Sequence, residues 1–508
     1  MTEKSLKELL KRRKKATRMI EQGHHQQAVV FLKESYRKFK DNPVFLTDLI
    51  STYVKLFDYE KVKEQTELLL KKFGTDAQVI LFAADTYAHI RQPELAKNTY
   101  KKLSSPSGNL KIAGINERQG KLDESEELID TLLKKSPNSE DVQFLNATLL
   151  TRRNKLDNAE EALFNMLSKG IENREIQWKT GHLLANVLDK QGNYSDAIQV
   201  LTATKQGMQN DYHKEISEAR KAFALKCEAI NNLNNTLSTK DILQWRNEIQ
   251  ERDFPVALLG GHPRSGTTLL ERILDQHNNI VSVEETSCLE DQTFRAVYGI
   301  PMAKPELFNL GFLNNRTPRE ILKAQRIYLD ALKQSSISKT ADKLLIDKNP
   351  MLTHVIGLIQ RFYPAMKSII AIRDPRAVCL SCFQQSVGVN TSNVSWLTFE
   401  DTVKAYNAIM SAWIHLREIL PDGWIEIRYE DLVQETESSA KKVIEFLELE
   451  WTNDLIDNNK SSRITYSPTY AQVSKPIYRS ALSNWENYDE LLAPHLKSLA
   501  PVMHSLGY

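Results

Sequence analysis

The sequence predicts an all-α helical solenoid followed by a three-layer α/β domain built on a parallel sheet. Three observations lead there. A polar turn recurs about every 34 residues through the first two hundred residues. After Pro255, short apolar runs alternate with amphipathic stretches, and a glycine-rich turn links the first run to the first of those stretches.

The repeating segments are "QGHHQQA", "LFDYEKV", "RQPELA", "QGKLDES", "RNKLDNA" and "QGNYSDA". They end on Ala28, Val62, Ala96, Ser125, Ala159 and Ala197, in steps of 34, 34, 29, 34 and 38. A 34-residue period with a turn between two amphipathic helices is the tetratricopeptide pattern. The small or β-branched residue lets the second helix of a pair approach the first. "KVKEQTELLLKKF" and "AEEALFNMLSKG" carry apolar residues at helical spacing. The short step falls at "SSPSGN", which predicts a truncated repeat there. Such a solenoid offers a concave surface that suits a protein or peptide, or it simply buttresses its neighbour. His24 and His25 lie in a polar turn without a partner at metal-ligand spacing.

The expected domains are a solenoid over 1–205, a helical linker over 206–252 and an α/β domain over 253–508. In the last, "VALLGG", "LLID", "SIIAIRD" and "WIEIRYEDL" read as buried parallel strands of about five residues. "TTLLERILDQH", "THVIGLIQRFYP" and "AKKVIEFLELE" read as the helices between them. Ligands of such sheets sit at the carboxyl ends of the strands.

Composition narrows the class. Of 508 residues, 26% are charged and 41% hydrophobic, as in a soluble protein of two or more domains. Acidic and basic residues number 65 and 67, so no net field draws the chain to nucleic acid or a membrane. The basic start "KSLKELLKRRKKATRMI" has no apolar signal core, and Glu3 and Glu8 argue against a transit peptide. No run approaches the roughly 20 apolar residues of a membrane span. Four cysteines imply a reducing compartment, and the expected localisation is cytoplasmic. Cys379 and Cys382 form a C-x-x-C without a second ligand pair and read as packing residues.

The glycine turn is G-x-x-x-x-G-T-T, Gly261 to Thr268, which makes the domain P-loop-like. Thr267 stands where a nucleotide-binding P-loop has its lysine. Backbone N–H groups and a helix start still suit a phosphate, and Arg264 adds a fork-shaped donor. No acidic Mg²⁺ partner is evident, so the loop suits one terminal phosphate without a metal. Arg373 ends one strand, with Ser381 eight residues later in a helix, which makes a second anion centre. Lys348 ends another strand, and Glu284 and Glu285 follow the first helix. Glu285 is the candidate general base and Glu284 a structural neighbour. His262 reads as structural in the phosphate turn, and His277 as a capping or packing residue.

Two anion centres, a lysine and a carboxylate together resemble the sulfotransferase family that uses 3′-phosphoadenosine 5′-phosphosulfate (PAPS). The resemblance runs from about Phe254 to the C-terminus. It is similar to tyrosylprotein sulfotransferases and to bacterial sulfotransferases with N-terminal tetratricopeptide repeats. "PRSGTTLLERILDQH", "EET", "DKNP", "IRDPRAVCLS", "YEDL" and "QVSKPIYRSALSNW" carry it.

The resemblance implies the sulfotransferase fold and PAPS as cosubstrate, with adenosine 3′,5′-bisphosphate as product. Arg264, Ser265, Gly266, Thr267 and Thr268 would hold the 5′-phosphosulfate, and Arg373 and Ser381 the 3′-phosphate. Tyr429 would line the nucleotide pocket. Glu285 matches the base, Lys348 the lysine that steadies the sulfuryl group and leaving phosphate, and Thr469 a hydroxyl helper. Three departures stand out. Asn484 replaces a nucleotide-binding lysine before Trp485, with Arg479 the candidate to compensate. Thr469 replaces a serine, and Ser287 replaces the basic residue expected after "EET". The expected partner is an acceptor protein or peptide, a glycan or a small phenol, and a homodimer is left open. A repeat scaffold with an inactive nucleotide domain and a kinase on the same fold stay open at this point.

Overall fold

The computed structural model describes residues 2–103, 105–249, 254–294, 307, 309–336, 340, 342–386, 388–456 and 482–508; for 284, 291 and 454 only the backbone is described. The chain divides into two compact units. One comprises Met1–Glu117, Thr286–Met302 and Arg319–Thr340; the other comprises Arg118–Glu285, Ala303–Pro318 and Ala341–Tyr508.

The first unit opens with consecutive helices, Glu3–Glu21, His25–Lys38, Val44–Lys55, Tyr59–Phe73, Ala77–His89 and Pro93–Tyr100, each packed on the next. Pro93–Tyr100 is only eight residues long, and Pro106 opens the following helix. The pattern break at "SSPSGN" is therefore a shortened helix followed by a new start, as proline at a first turn permits.

One backbone feature repeats in both units. Five residues before each small residue, the turn enters the left-handed region: Gly23, Phe57, Arg91, Gly120, Asn154 and Gly192, with φ from 58° to 84°. Glycine takes this conformation freely, whereas Phe57 and Arg91 accept roughly 1–2 kcal/mol of strain. The strain is held because the following residues are clamped: Ala28, Val62, Ala96, Ser125 and Ala159 are fully buried and Ala197 nearly so.

In the second unit, helices Leu122–Lys135, Glu140–Arg152, Leu156–Lys169, Arg174–Gln191 and Tyr194–Asp211 continue the hairpins. Helix His213–Thr236 follows, and Ser238 and Asp241 form a capping box that starts Thr239–Glu248. The sheet comprises β1 (Val256–Gly261), β2 (Ile280–Glu284), β3 (Leu344–Lys348), β4 (Lys367–Ile372) and β5 (Trp424–Arg428). All neighbouring pairs are parallel, in the order β2-β3-β1-β4-β5. Helices Thr267–Leu274 and Thr436–Phe446 pack on one face through Leu270, Ile273, Val443 and Ile444. The turn Pro350–Val355 covers β1 from the other face, where Thr353 Oγ1 lies 2.7 Å from the Gly261 amide and 2.6 Å from its carbonyl.

β2 was not among the expected strands. It is a five-residue edge strand whose "IVSVE" breaks its apolar residues with a serine and a glutamate, so no apolar run reveals it. The strand order reverses at β1, so the crevice of the sheet opens at the carboxyl ends beside it.

The repeats in this unit are anchored to the sheet domain by buried polar contacts. Lys205 of helix Tyr194–Asp211 donates to the Trp396 carbonyl at 2.6 Å and lies 4.8 Å from the Phe383 ring. Burial pulls its ammonium down to about 7. Tyr488 donates to Asp189 of helix Arg174–Gln191, and its ring meets Tyr194 edge-on at 5.3 Å. Trp178, Met208 and Ile216 share an apolar cluster with Val394 and Leu397.

Candidate active site

The loop 262–266 leaves β1 at Gly261, whose φ is 127°. A Cβ there would stand 2.3 Å from the Ala371 carbonyl oxygen, so only glycine fits beside β4. Gly266, φ 94°, ends the turn and begins helix Thr267–Leu274. Its missing side chain makes room for Tyr429, since a Cβ would lie 2.4 Å from that ring. The first amides of the helix have no carbonyl of their own helix to bond and carry the positive end of its dipole.

The side chains of two expected anion centres converge here. Arg264 Nε donates to Ser381 Oγ at 3.0 Å, and Arg373 Nη1 donates to the Arg264 carbonyl at 3.2 Å. The Arg373 guanidinium lies 4.5 Å from the centre of the Tyr429 ring. Centres that the sequence treats as separate are thus bridged by one arginine, because β1 and β4 are neighbours with Gly261 opposite Ala371. Arg264 holds this position at φ 74°, an uncommon conformation for a side-chain-bearing residue. Ser265 is buried within the loop, Thr267 is buried as the first residue of the helix, and Thr268 after it is half-buried.

β2 and β3 supply the second half. Glu284 pairs with Lys348 across the two strands, and the Glu285 amide extends the ladder to the Lys348 carbonyl at 2.8 Å. Glu285 then turns at φ 45°, and its Oε1 accepts from Lys348 Nζ at 2.8 Å. The lysine side chain is 0% exposed and that of Glu285 49%, so the pair joins a buried cation to an accessible carboxylate.

A second carboxylate, not singled out from the sequence, completes this group. Glu271 Oε2 of helix Thr267–Leu274 lies 3.5 Å from Lys348 Nζ with its side chain 7% exposed. Ser282 Oγ of β2 donates to its other oxygen. A signal existed: Glu271 follows Thr267 by four residues and shares its helix face. Arg376 was also missed; Asp374 binds it bidentately, and its guanidinium stacks 3.6 Å from the Trp485 ring centre.

Thr469 and Arg479 lie outside the described residues, as does the side chain of Glu284. Asn484 begins the short helical turn Asn484–Tyr488, where its carbonyl and Oδ1 both accept from Asn487 Nδ2 at 3.3 Å. Ser287 is exposed. Cys379 and Cys382 are buried, and burial drives both thiols upward, Cys382 to about 12. Among the described residues no group of three or more His, Cys, Asp or Glu is placed to hold a metal, and no helix is long and apolar enough to cross a membrane.

The histidines are structural in geometry. His277 Nε2 donates to the Glu450 carbonyl at 2.8 Å while Nδ1 accepts from the Asn279 amide at 3.1 Å. His262 Nδ1 donates to the Pro263 carbonyl at 2.9 Å, and its ring packs 4.9 Å from Tyr406. Burial lowers His262 and His182 from 6.5 to about 4, and His354 to about 3. Each is neutral in both states above pH 6.5; below it the unfolded chain binds a proton that the folded chain refuses. Stability therefore falls as pH drops from 6.5 toward 4, by up to about 1.4 kcal/mol per pH unit for each histidine. Urea unfolding of His262→Phe over this range should show a shallower loss than the parent; an unchanged slope would contradict a neutral buried His262.

Residues 255–453 match the family described as the sulfotransferase family. An uncharacterized protein of Aquifex aeolicus is 27% identical over 63% of this chain and 41% of its own length. Protein-tyrosine sulfotransferase 1 of Danio rerio is 24% identical over 59% of this chain and 82% of its own. Protein-tyrosine sulfotransferase of Drosophila melanogaster is 23% identical over 58% and 60%. The chain thus spans about two fifths of the length of the Aquifex relative and more of the others. Among solved structures, the sulfotransferase domain of the Synechococcus PCC 7002 olefin synthase is 21% identical, covering 47% of this chain and 90% of its own at a TM-score of 0.34.

Proposed function

From the match of residues 255–453 to the sulfotransferase family, we propose that the chain moves a sulfuryl group from PAPS to an acceptor hydroxyl. The observation that carries this reading is the 2.8 Å pair of Lys348 and Glu285 at the ends of neighbouring strands. An accessible carboxylate held by a buried cation is a base with a nearby charge for the leaving side.

The loop amides of 265–268 and the fork of Arg264 suit the phosphosulfate end of the donor. Ser381 and Arg373 suit its 3′-phosphate, with Tyr429 against the nucleotide. Glu285 takes the acceptor proton as the acceptor oxygen bonds to sulfur and the bond from sulfur to the 5′-phosphate oxygen breaks. Lys348 and Arg264 meet the charge that gathers on the departing phosphate. The hydroxyl of Thr469 is a further helper. No step in this scheme needs a metal.

The acceptor we propose is a tyrosine of a protein or peptide. A phenol ionises near pH 10, far below an aliphatic alcohol, which suits a carboxylate base. The relatives named protein-tyrosine sulfotransferases support the choice, and tetratricopeptide-type hairpins provide a surface for an extended chain. A glycan or a small phenol is the alternative acceptor.

Two measurements test the reading. Calorimetry with adenosine 3′,5′-bisphosphate should give a single binding event, and Ser381→Ala should weaken it roughly ten- to a hundredfold through a lost hydrogen bond to charge. Radiolabelled PAPS with tyrosyl peptides, glycans and phenols, without added Mg²⁺, should yield a sulfated product. Absence of bisphosphate binding would instead favour a repeat scaffold with an inactive nucleotide domain.

A further inference from the structure

A fully buried lysine needs a counter-charge that stays charged throughout the reaction. Glu285 cannot be that group if it is the base, because it becomes neutral when it accepts the acceptor's proton. Glu271 is placed to be. It is buried beside Lys348 Nζ at 3.5 Å, held by the Ser282 hydroxyl on its other oxygen, and it comes from the helix that the phosphate loop opens. Glu285, by contrast, is half exposed and sits at a strand end in a left-handed turn.

Building on the proposed transfer reaction, we propose that Glu271 is the resident counter-ion of Lys348, a positioning residue that leaves Glu285 available as the base. Its negative charge leaves Lys348 a partner when Glu285 takes up the acceptor's proton, so a cation still faces the departing phosphate. Two glutamates face Lys348, one from the phosphate-loop helix and one from the end of β2.

The experiment compares the full-length parent, Glu271→Gln, Glu271→Asp and Glu285→Gln. First, adenosine 3′,5′-bisphosphate binding and transfer from PAPS to a series of simple phenols establish whether the parent is a sulfotransferase at all. A parent that fails both sinks the reading in the preceding subsection. In an active parent, Glu271→Gln should lower kcat about tenfold with bisphosphate affinity within a factor of two. The loss should fall on kcat, with KM for the phenol within a factor of two. Glu271→Asp, which keeps the charge, should recover a large part of the rate that Glu271→Gln loses. A purely structural Glu271 would give equal losses in the two variants, and that result would overturn the proposal. Urea unfolding gives a reading independent of activity: Glu271→Gln should lower the midpoint more than Glu285→Gln. An equal or smaller shift would refute the counter-ion role, whatever the chain catalyses.

Discussion

Glu285→Gln should lower turnover by roughly 10²–10⁴-fold, the contribution expected of a positioned general base, while adenosine 3′,5′-bisphosphate should bind as before. The substitution is isosteric, and the amide oxygen can still accept from Lys348, whose Nζ lies 2.8 Å from Oε1. What is lost is the capacity to take a proton. Binding should be spared because the proposed anion centre is Arg264, Ser381 and Arg373, joined by contacts of 3.0 and 3.2 Å that do not involve Glu285. Steady-state rates with PAPS and a phenol or tyrosyl peptide, beside calorimetry on the same preparation, separate the two quantities. A variant that keeps a tenth or more of the parent rate would move the base elsewhere. A variant that loses bisphosphate affinity as well would make Glu285 part of the nucleotide pocket.

Lys348→Met is expected to cost stability and activity together. The side chain is fully buried at the carboxyl end of β3, between a buried and a half-exposed carboxylate. Removing one member of a buried ion pair typically costs about 3–5 kcal/mol, because the remaining charge is left in a medium that solvates it poorly. Here the stranded charge is Glu271, not the accessible Glu285. The sharper measurement is the double variant Lys348→Met with Glu271→Gln, which should recover a large part of that loss in urea unfolding. Residues in direct contact couple in this way, whereas independent sites would simply add. Recovery by Glu285→Gln instead would identify the exposed carboxylate as the true counter-charge. Transfer activity should stay low in every variant without the lysine, since the charge opposite the leaving phosphate is gone.

Much of this arrangement was legible in the chain because it rests on local rules. The repeat signal was written twice, in small residues at a fixed step and in the turn that precedes them. The second half of the signal became visible only as backbone, since Phe57 and Arg91 hold the left-handed conformation that glycine holds at Gly23, Gly120 and Gly192. A residue type that disfavours that conformation hides it from a reading of composition. Among the described residues, four of the five strands could be read from runs rich in apolar residues. β2 could not, since an edge strand with Ser282 and Glu284 has no apolar stretch to betray it. Glu271 escaped because its one sequence signal, a four-residue spacing from Thr267, is shared by many polar positions of amphipathic helices, and burial beside Lys348 sets it apart.

The truncation that a boundary at 205 suggests illustrates the limit of local rules. Removing residues 1–206 would take away Lys205, bonded to the Trp396 carbonyl, and Asp189, bonded to Tyr488. The apolar cluster of Trp178 with Val394 and Leu397 would go as well. A loss of activity in such a chain would report on the support of the sheet domain as much as on acceptor binding.

By itself the sequence pointed to helical hairpins ahead of an α/β domain, to the glycine turn after the first strand, and to Arg264, Glu285, Lys348, Arg373 and Ser381 as candidate site residues. These follow from periodicity, from glycine where the chain must turn sharply, and from polar residues at the ends of apolar runs, all properties of neighbours along the chain. Tertiary structure alone decided the rest. It placed β1 beside β4, so that Arg264 spans to Ser381, and set Glu271 against a lysine 77 positions away in the sequence. Contacts between distant segments depend on strand order and on which side chains are removed from water together, and an electrostatic partnership such as that of Lys348 exists only once burial has made an unpaired charge costly.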